Sequence, residues 1–165
     1  MTRPGASWRW WVPICALGLW SLAPGVVAQG RAVDGYVQRL GTERVAQMAA
    51  LLSDCGGVYM GFSQATALAA PQLAEDYREM QNGAMVAAAY LLYREHGMRT
   101  GERRAFESFI PAVKARAEAK TAEVMQLFAA NELEAAKLPL GECSRLEDLQ
   151  SFLVRQWRAE MRPSE

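Results

Sequence analysis

Apolar residues recur at steps of three and four through nearly all of the chain after residue 40, and no stretch alternates apolar with polar for long. Steps of three and four keep side chains on one face of a helix, whereas a half-buried strand needs a step of two. The longest stripe is Val45, Met48, Leu51, Leu52, Cys55, Val58, Tyr59, Phe62, Ala65 and Leu68. It predicts a helix over 42–70, with a short helical lead-in over 33–40. Alanine, the best helix former, is frequent along the same stretches. The chain therefore reads as all-α, an antiparallel bundle of four to five helices.

The next helix is predicted over 71–96. Pro71 suits a first turn, and Leu73, Tyr77, Met80, Ala84, Ala87, Ala88 and Leu91 form its buried stripe. Gly97 reads as its C-cap, with Arg94 and His96 at the negative end of the dipole. Thr100 reads as the cap of a third helix over 101–137, which Pro111 should kink or split. The stripe there is Phe106, Phe109, Ile110, Val113, Ala117, Val124, Leu127 and Phe128. Leu138-Pro139-Leu140-Gly141 reads as a loop. Ser144-Arg145-Leu146-Glu147 fits a capping box that opens the last helix, with Leu146, Leu149, Leu153 and Trp157 facing inward.

The first 28 residues have the pattern of a secretory signal. Arg3 and Arg9 precede the apolar run 12–22, then come Pro24-Gly25 and the small residues Val26, Val27 and Ala28. Cleavage after Ala28 leaves 29–165 as one domain with sixteen basic and eighteen acidic residues. An uncleaved anchor is the alternative, since 10–28 reaches the lower length limit for a span. Cys15 departs with the leader. Cys55 and Cys143 remain, an even count in an oxidising compartment, and are expected to pair. Their distance in sequence is unlike that of a C-x-x-C redox pair. The bond would pin the start of the last helix to the middle of the first long one.

Ser53-Asp54-Cys55-Gly56-Gly57-Val58-Tyr59, the distant Gly141-Glu142-Cys143 and the leader together resemble small secreted helical proteins of Gram-negative bacteria. In those proteins a cysteine of an early helix is joined to one near the end. The resemblance implies a periplasmic address and the disulfide. It implies no activity.

Most reactive chemistries lack their residues. The balanced charge argues against a strongly basic nucleic-acid surface. His96 is the sole histidine, so sites that need two imidazoles are excluded. No C-x-x-C-H, glycine-rich phosphate loop or G-x-S-x-G elbow occurs. His96 and Met98 are weak copper candidates, and Glu75, Asp76 and Glu79 read better as a solvated first turn than as a metal cluster. The seven cations between Arg94 and Lys120 alternate with acids as on an exposed, paired face. No cofactor, metal or nucleic-acid partner is called for. The domain after the leader is not expected to span a membrane, and its oligomeric state is not set by the sequence.

What remains is an exported binding or interaction protein without catalytic chemistry. Its expected surface is a helix groove for an envelope protein, with Tyr59, Tyr77, Tyr90 and Tyr93 as aromatic anchors. Gly57 and Gly61, one turn apart, read as a tightly packed seam or as a notch for a ligand. The alternative is a carrier of a small apolar ligand or lipid, lined by Met60, Phe62, Met80 and Phe109. A further alternative is an enzyme of unassigned class.

Overall fold

The computed structural model describes residues 25–161. The predicted leader therefore lies outside the described residues, apart from the helical backbone of Gly25 to Ala28. Five α-helices follow in order: α1 (Gly25–Thr66), α2 (Pro71–Thr100), α3 (Ile110–Ala129), α4 (Leu133–Ser144) and α5 (Glu147–Met161). A 3-10 turn, Phe106–Phe109, precedes α3. Among the described residues there is no strand, and no helix is long and apolar enough to cross a membrane.

α1 consists of two limbs. Gly41 breaks it with φ 74° and ψ 161°, a backbone conformation open in practice to glycine alone. The break coincides with the predicted junction between lead-in and first long helix. Val33 and Val37 bury the first limb against the same core as Val45, Ala49 and Leu52 of the second.

The chain alternates direction. α2 runs back along α1: Ser63 Oγ donates to the Ala74 carbonyl at 2.8 Å near one end, and Arg94 pairs with Asp34 near the other. α3 runs parallel to the second limb of α1, where Arg116 donates to the Ala50 carbonyl and Asp54. Further along, the Thr121 hydroxyl donates to the Gly57 carbonyl at 3.1 Å. α4 packs on α1 and α3, and α5 packs on α1 and α2. The fourth position of the bundle is thus filled by two short helices joined at Arg145-Leu146. Two buried clusters result. One holds Tyr90, Leu91, Val113 and Leu153 with the first limb of α1. The other holds Cys55, Val58, Tyr59, Phe62, Val124 and Cys143.

The Cys55 and Cys143 sulfurs are at bonding distance, 2.11 Å, with Cα atoms 5.4 Å apart. As expected, the bond ties the centre of α1 to the chain just before the last helix.

Several boundaries differ from the sequence reading. α1 ends at Thr66, and Leu51, Ala65 and Leu68 of the predicted stripe are exposed instead of buried. Leu73 is exposed too. α2 runs through Gly97 to Thr100, and Gly101, with φ 72°, is the C-cap that donates to the Gly97 carbonyl. Thr100 closes α2: its hydroxyl donates to the His96 carbonyl and accepts from Glu102 N–H. Pro111 opens α3 in its first turn, where its missing N–H is harmless, and does not kink a longer helix. The predicted third helix is therefore split again at Asn131, a residue with φ 59°. Leu138-Pro139-Leu140-Gly141 lies inside α4, not in a loop. Ser144 ends α4, its hydroxyl donating back to Leu140, and does not cap α5. The first backbone bond of α5 is accepted by Leu146 from Gln150.

Candidate functional site

The expected anchors are not one surface. Gly57 and Gly61 face α3: a Cβ on Gly57 would lie 2.2 Å from the Ala117 carbonyl oxygen, and one on Gly61 2.6 Å from Val124 Cγ1. α3 fills the glycine seam. Tyr59 and Tyr90 are fully buried. Half-buried Tyr77 packs on Tyr59 and Phe62 in one cluster, whereas half-buried Tyr93 packs on Tyr90, Phe106 and Phe109 in the other. The residues expected to line a carrier cavity are also divided, with Phe62 and Met80 in one cluster and Phe109 in the other. Met60 is half-buried outside both.

The chemical candidates are equally dispersed. His96 is buried against the Phe109 ring at 5.8 Å, within one turn of Thr100. Met98 is exposed on the same turn. Glu75 pairs with Arg78, Gln72 donates to Asp76, and Glu79 lines the groove between α2 and α5. Among the described residues no three His, Cys, Asp or Glu side chains converge as a metal site.

An open groove of about 570 Å³ lies between α2 and α5. This lies in the range of ordinary ligand and peptide sites. Gly83 and Val86 of α2 and Val154 and Trp157 of α5 give its apolar part. Glu79, Asn82, Gln150, Ser151, Arg155 and Arg158 supply the polar rim. A Cβ at Gly83 would meet Gln150 Nε2 at 2.5 Å, so a side chain there would displace the Gln150 amide from its bond to Met80.

Both ends of this groove are tied. At one end Gln150 Nε2 donates across to the Met80 carbonyl at 3.1 Å. At the other, Glu160 of α5 accepts from the Tyr90 hydroxyl at 2.5 Å and from Arg94 Nη1 at 2.6 Å. Arg94 also bridges to Asp34 of α1, so one guanidinium joins three helices. Its side chain is only 17% exposed. Burial opposes its charge, but the hydrogen bond to Asp34 and the Glu160 carboxylate prevail and hold its pKa above the usual value. The Tyr90 pKa is raised by burial and by its hydrogen bond to Glu160. Charge-assisted bonds of this kind are worth about twice a neutral one. They fix α5 against α2 before anything binds.

Sequence reasoning assigned Arg94 to the helix dipole and passed over Gly83, Gln150, Arg155 and Arg158. One signal was present. Arg78, Arg99, Lys114, Lys120 and Lys137 each have a carboxylate three or four residues away and pair with it. Arg155 and Arg158 have no acid at those spacings, and neither pairs with a carboxylate among the described residues.

No protein-family model, no curated protein and no solved structure matches this chain. The fold and the groove define the class: an all-α, disulfide-pinned bundle with an open interhelical groove between α2 and α5.

Proposed function

We propose that this chain is an exported, periplasmic interaction protein without catalytic activity, and that its working surface is the α2–α5 groove. The carrying observation is a preformed groove, tied at both ends, lined by Val86, Val154 and Trp157 and by two arginines that have no carboxylate partner among the described residues. Preorganised clefts spend little binding energy on ordering themselves. Support for export comes from the leader pattern, the two-cysteine layout resembling secreted helical proteins, and a buried cystine of the sort that persists in oxidising compartments.

Two measurements test the reading. Cell fractionation with N-terminal sequencing should find the protein in the periplasm, starting at Gln29. Full-length protein in the cytosol would refute export. Affinity capture from envelope extract should recover a protein partner with the wild-type domain and lose it with Val154→Glu. Recovery of co-purified lipid alone, or of a partner indifferent to Val154→Glu, would refute the groove as the working surface.

A further inference from the structure

We infer that the α2–α5 groove docks a short acidic segment of a partner protein, about two helical turns long, with an apolar face. The inference rests on the interaction reading above and gives its partner a chemistry. The length follows from the groove: Gln150 to Arg158 is nine residues of α5, eight steps of about 1.5 Å or about 12 Å of helix. The apolar face follows from Val86, Val154 and Trp157, three half-buried side chains that leave part of their surface on the groove.

The charge follows from the pairing pattern. Arg155 and Arg158 sit one turn apart on the exposed rim, and of the exposed arginines without a carboxylate partner among the described residues these two line the groove. Glu79 is the single carboxylate among the groove residues, so the rim is net positive in a domain whose overall charge is negative. A fixed guanidinium fork binds carboxylates in a bidentate manner, and Arg and Trp are the residue types that dominate binding hot spots. Trp157 lies between the two arginines along the helix. The cleft of about 360 Å³ beside Arg94 offers no such bias, because Glu102 and Glu160 offset Arg103 and Arg94 there.

The test places a photoreactive benzophenone amino acid at Ser151, in the groove, or at Leu68, exposed in the turn between α1 and α2 and outside the groove, in the full-length protein expressed in its own cells. Irradiation, purification and mass spectrometry identify any cross-linked peptide. The expected result is a discrete adduct from Ser151 whose peptide carries several carboxylates and aliphatic residues. Its yield should fall at least tenfold with R155E/R158E, and also with the milder R155Q/R158Q, while both variants keep the wild-type circular dichroism. A synthetic copy of the captured peptide should bind more weakly as salt rises, and Lys-for-Glu exchange in it should abolish binding to wild type. An adduct with a neutral or basic segment, with lipid, or with a second copy of this chain would overturn the inference. Adducts from Leu68 and none from Ser151 would overturn it and leave the interaction reading standing. Adducts from neither position would overturn both.

Discussion

Replacing Gly57 by alanine sets two opposed effects against each other, and the structure gives their sizes. Within a helix interior, Gly to Ala gains about 1 kcal/mol of propensity. At Gly57 the new Cβ would lie 2.2 Å from the Ala117 carbonyl oxygen and 2.7 Å from Lys120 Cβ. The first of these is backbone and has no rotamer to change, so α3 must retreat by roughly 1 Å. Retreat stretches the 3.1 Å bond from Thr121 to the Gly57 carbonyl and loosens the Gly61–Val124 contact. Overpacking of this kind costs about 1–3 kcal/mol, and a weakened buried hydrogen bond adds about 1 kcal/mol. The expected net change is a loss of about 1–3 kcal/mol. Gly141→Ala is the control: it lies inside α4, and a Cβ there meets nothing within 4 Å. That variant should gain about 0.5–1 kcal/mol. Urea denaturation followed by Trp157 fluorescence, with the cystine intact, reads both. At a slope of about 2 kcal/mol/M, Gly57→Ala should lower the midpoint by about 1 M. A midpoint at or above wild type for Gly57→Ala would refute the packing argument.

Tyrosine chemistry supplies two more tests. Tyr90→Phe deletes a bond to a partly buried carboxylate and should cost about 1–2 kcal/mol, whereas Tyr59→Phe should be neutral or stabilising, because the buried Tyr59 hydroxyl has no hydrogen-bond partner among the described residues; thermal melts of the two variants should separate in that order. Burial, reinforced by the nearby Glu147 carboxylate, pushes the Tyr59 pKa up to about 12, and Tyr90 is raised as well. An unfolded tyrosine titrates near 10. The unfolded chain therefore holds fewer protons than the folded one above that pH, and stability should be full below about pH 10 and fall as pH rises toward 12. Absorbance at 295 nm should show the Tyr59 and Tyr90 hydroxyls ionising only as the protein unfolds. Ionisation of all five tyrosines near pH 10 in folded protein would contradict the burial.

The all-α class and the cystine were legible because both rest on simple signals, a persistent three-to-four-residue period and a count of two cysteines after the leader. Punctuation misled more than periodicity did. Pro139 and Gly141 read as a loop, yet Ala136, Leu140 and Cys143 keep steps of four and three across them. Ala136 and Cys143 are buried with half-buried Leu140 in one cluster, and that packing outweighs the cost of a proline inside a helix. Asp34-Gly35 and Asn82-Gly83 are hairpin-type dipeptides, yet both lie within helices for the same reason. Gly101 took the capping role expected of Gly97: α2 continues to Thr100, whose hydroxyl bonds back to the His96 carbonyl, and the Gly101 N–H then closes on the Gly97 carbonyl. The groove was not legible, since it exists only where α2 meets α5, seventy residues apart. Its one local trace, two arginines without acids at helical spacing, is shared by Arg44, Arg94 and Arg116 and so does not locate the groove.

The cystine and the groove are linked through the path of the chain. α4 lies on the α3 side of α1, α5 lies on the α2 side, and the crossing happens at Cys143 to Leu146, where the chain is bonded to Cys55. Leu146 touches both core clusters, so this point sets how α5 is launched toward α2. Without the bond, α5 retains Gln150, Glu160 and its apolar face as ties, but its start is free to shift along α1. Closing an 88-residue loop limits the unfolded chain by about 4–5 kcal/mol on the chain-entropy model, so Cys55→Ala/Cys143→Ala should lower the urea midpoint substantially. The linkage makes a sharper claim in the absence of urea. Helical circular dichroism should be nearly unchanged, while affinity for the peptide captured at Ser151 falls severalfold, because the two walls of the groove no longer hold one spacing. Unchanged affinity in a less stable variant would show that the ties at Met80 and Arg94 alone set the groove, and the role of the cystine would then be confined to stability.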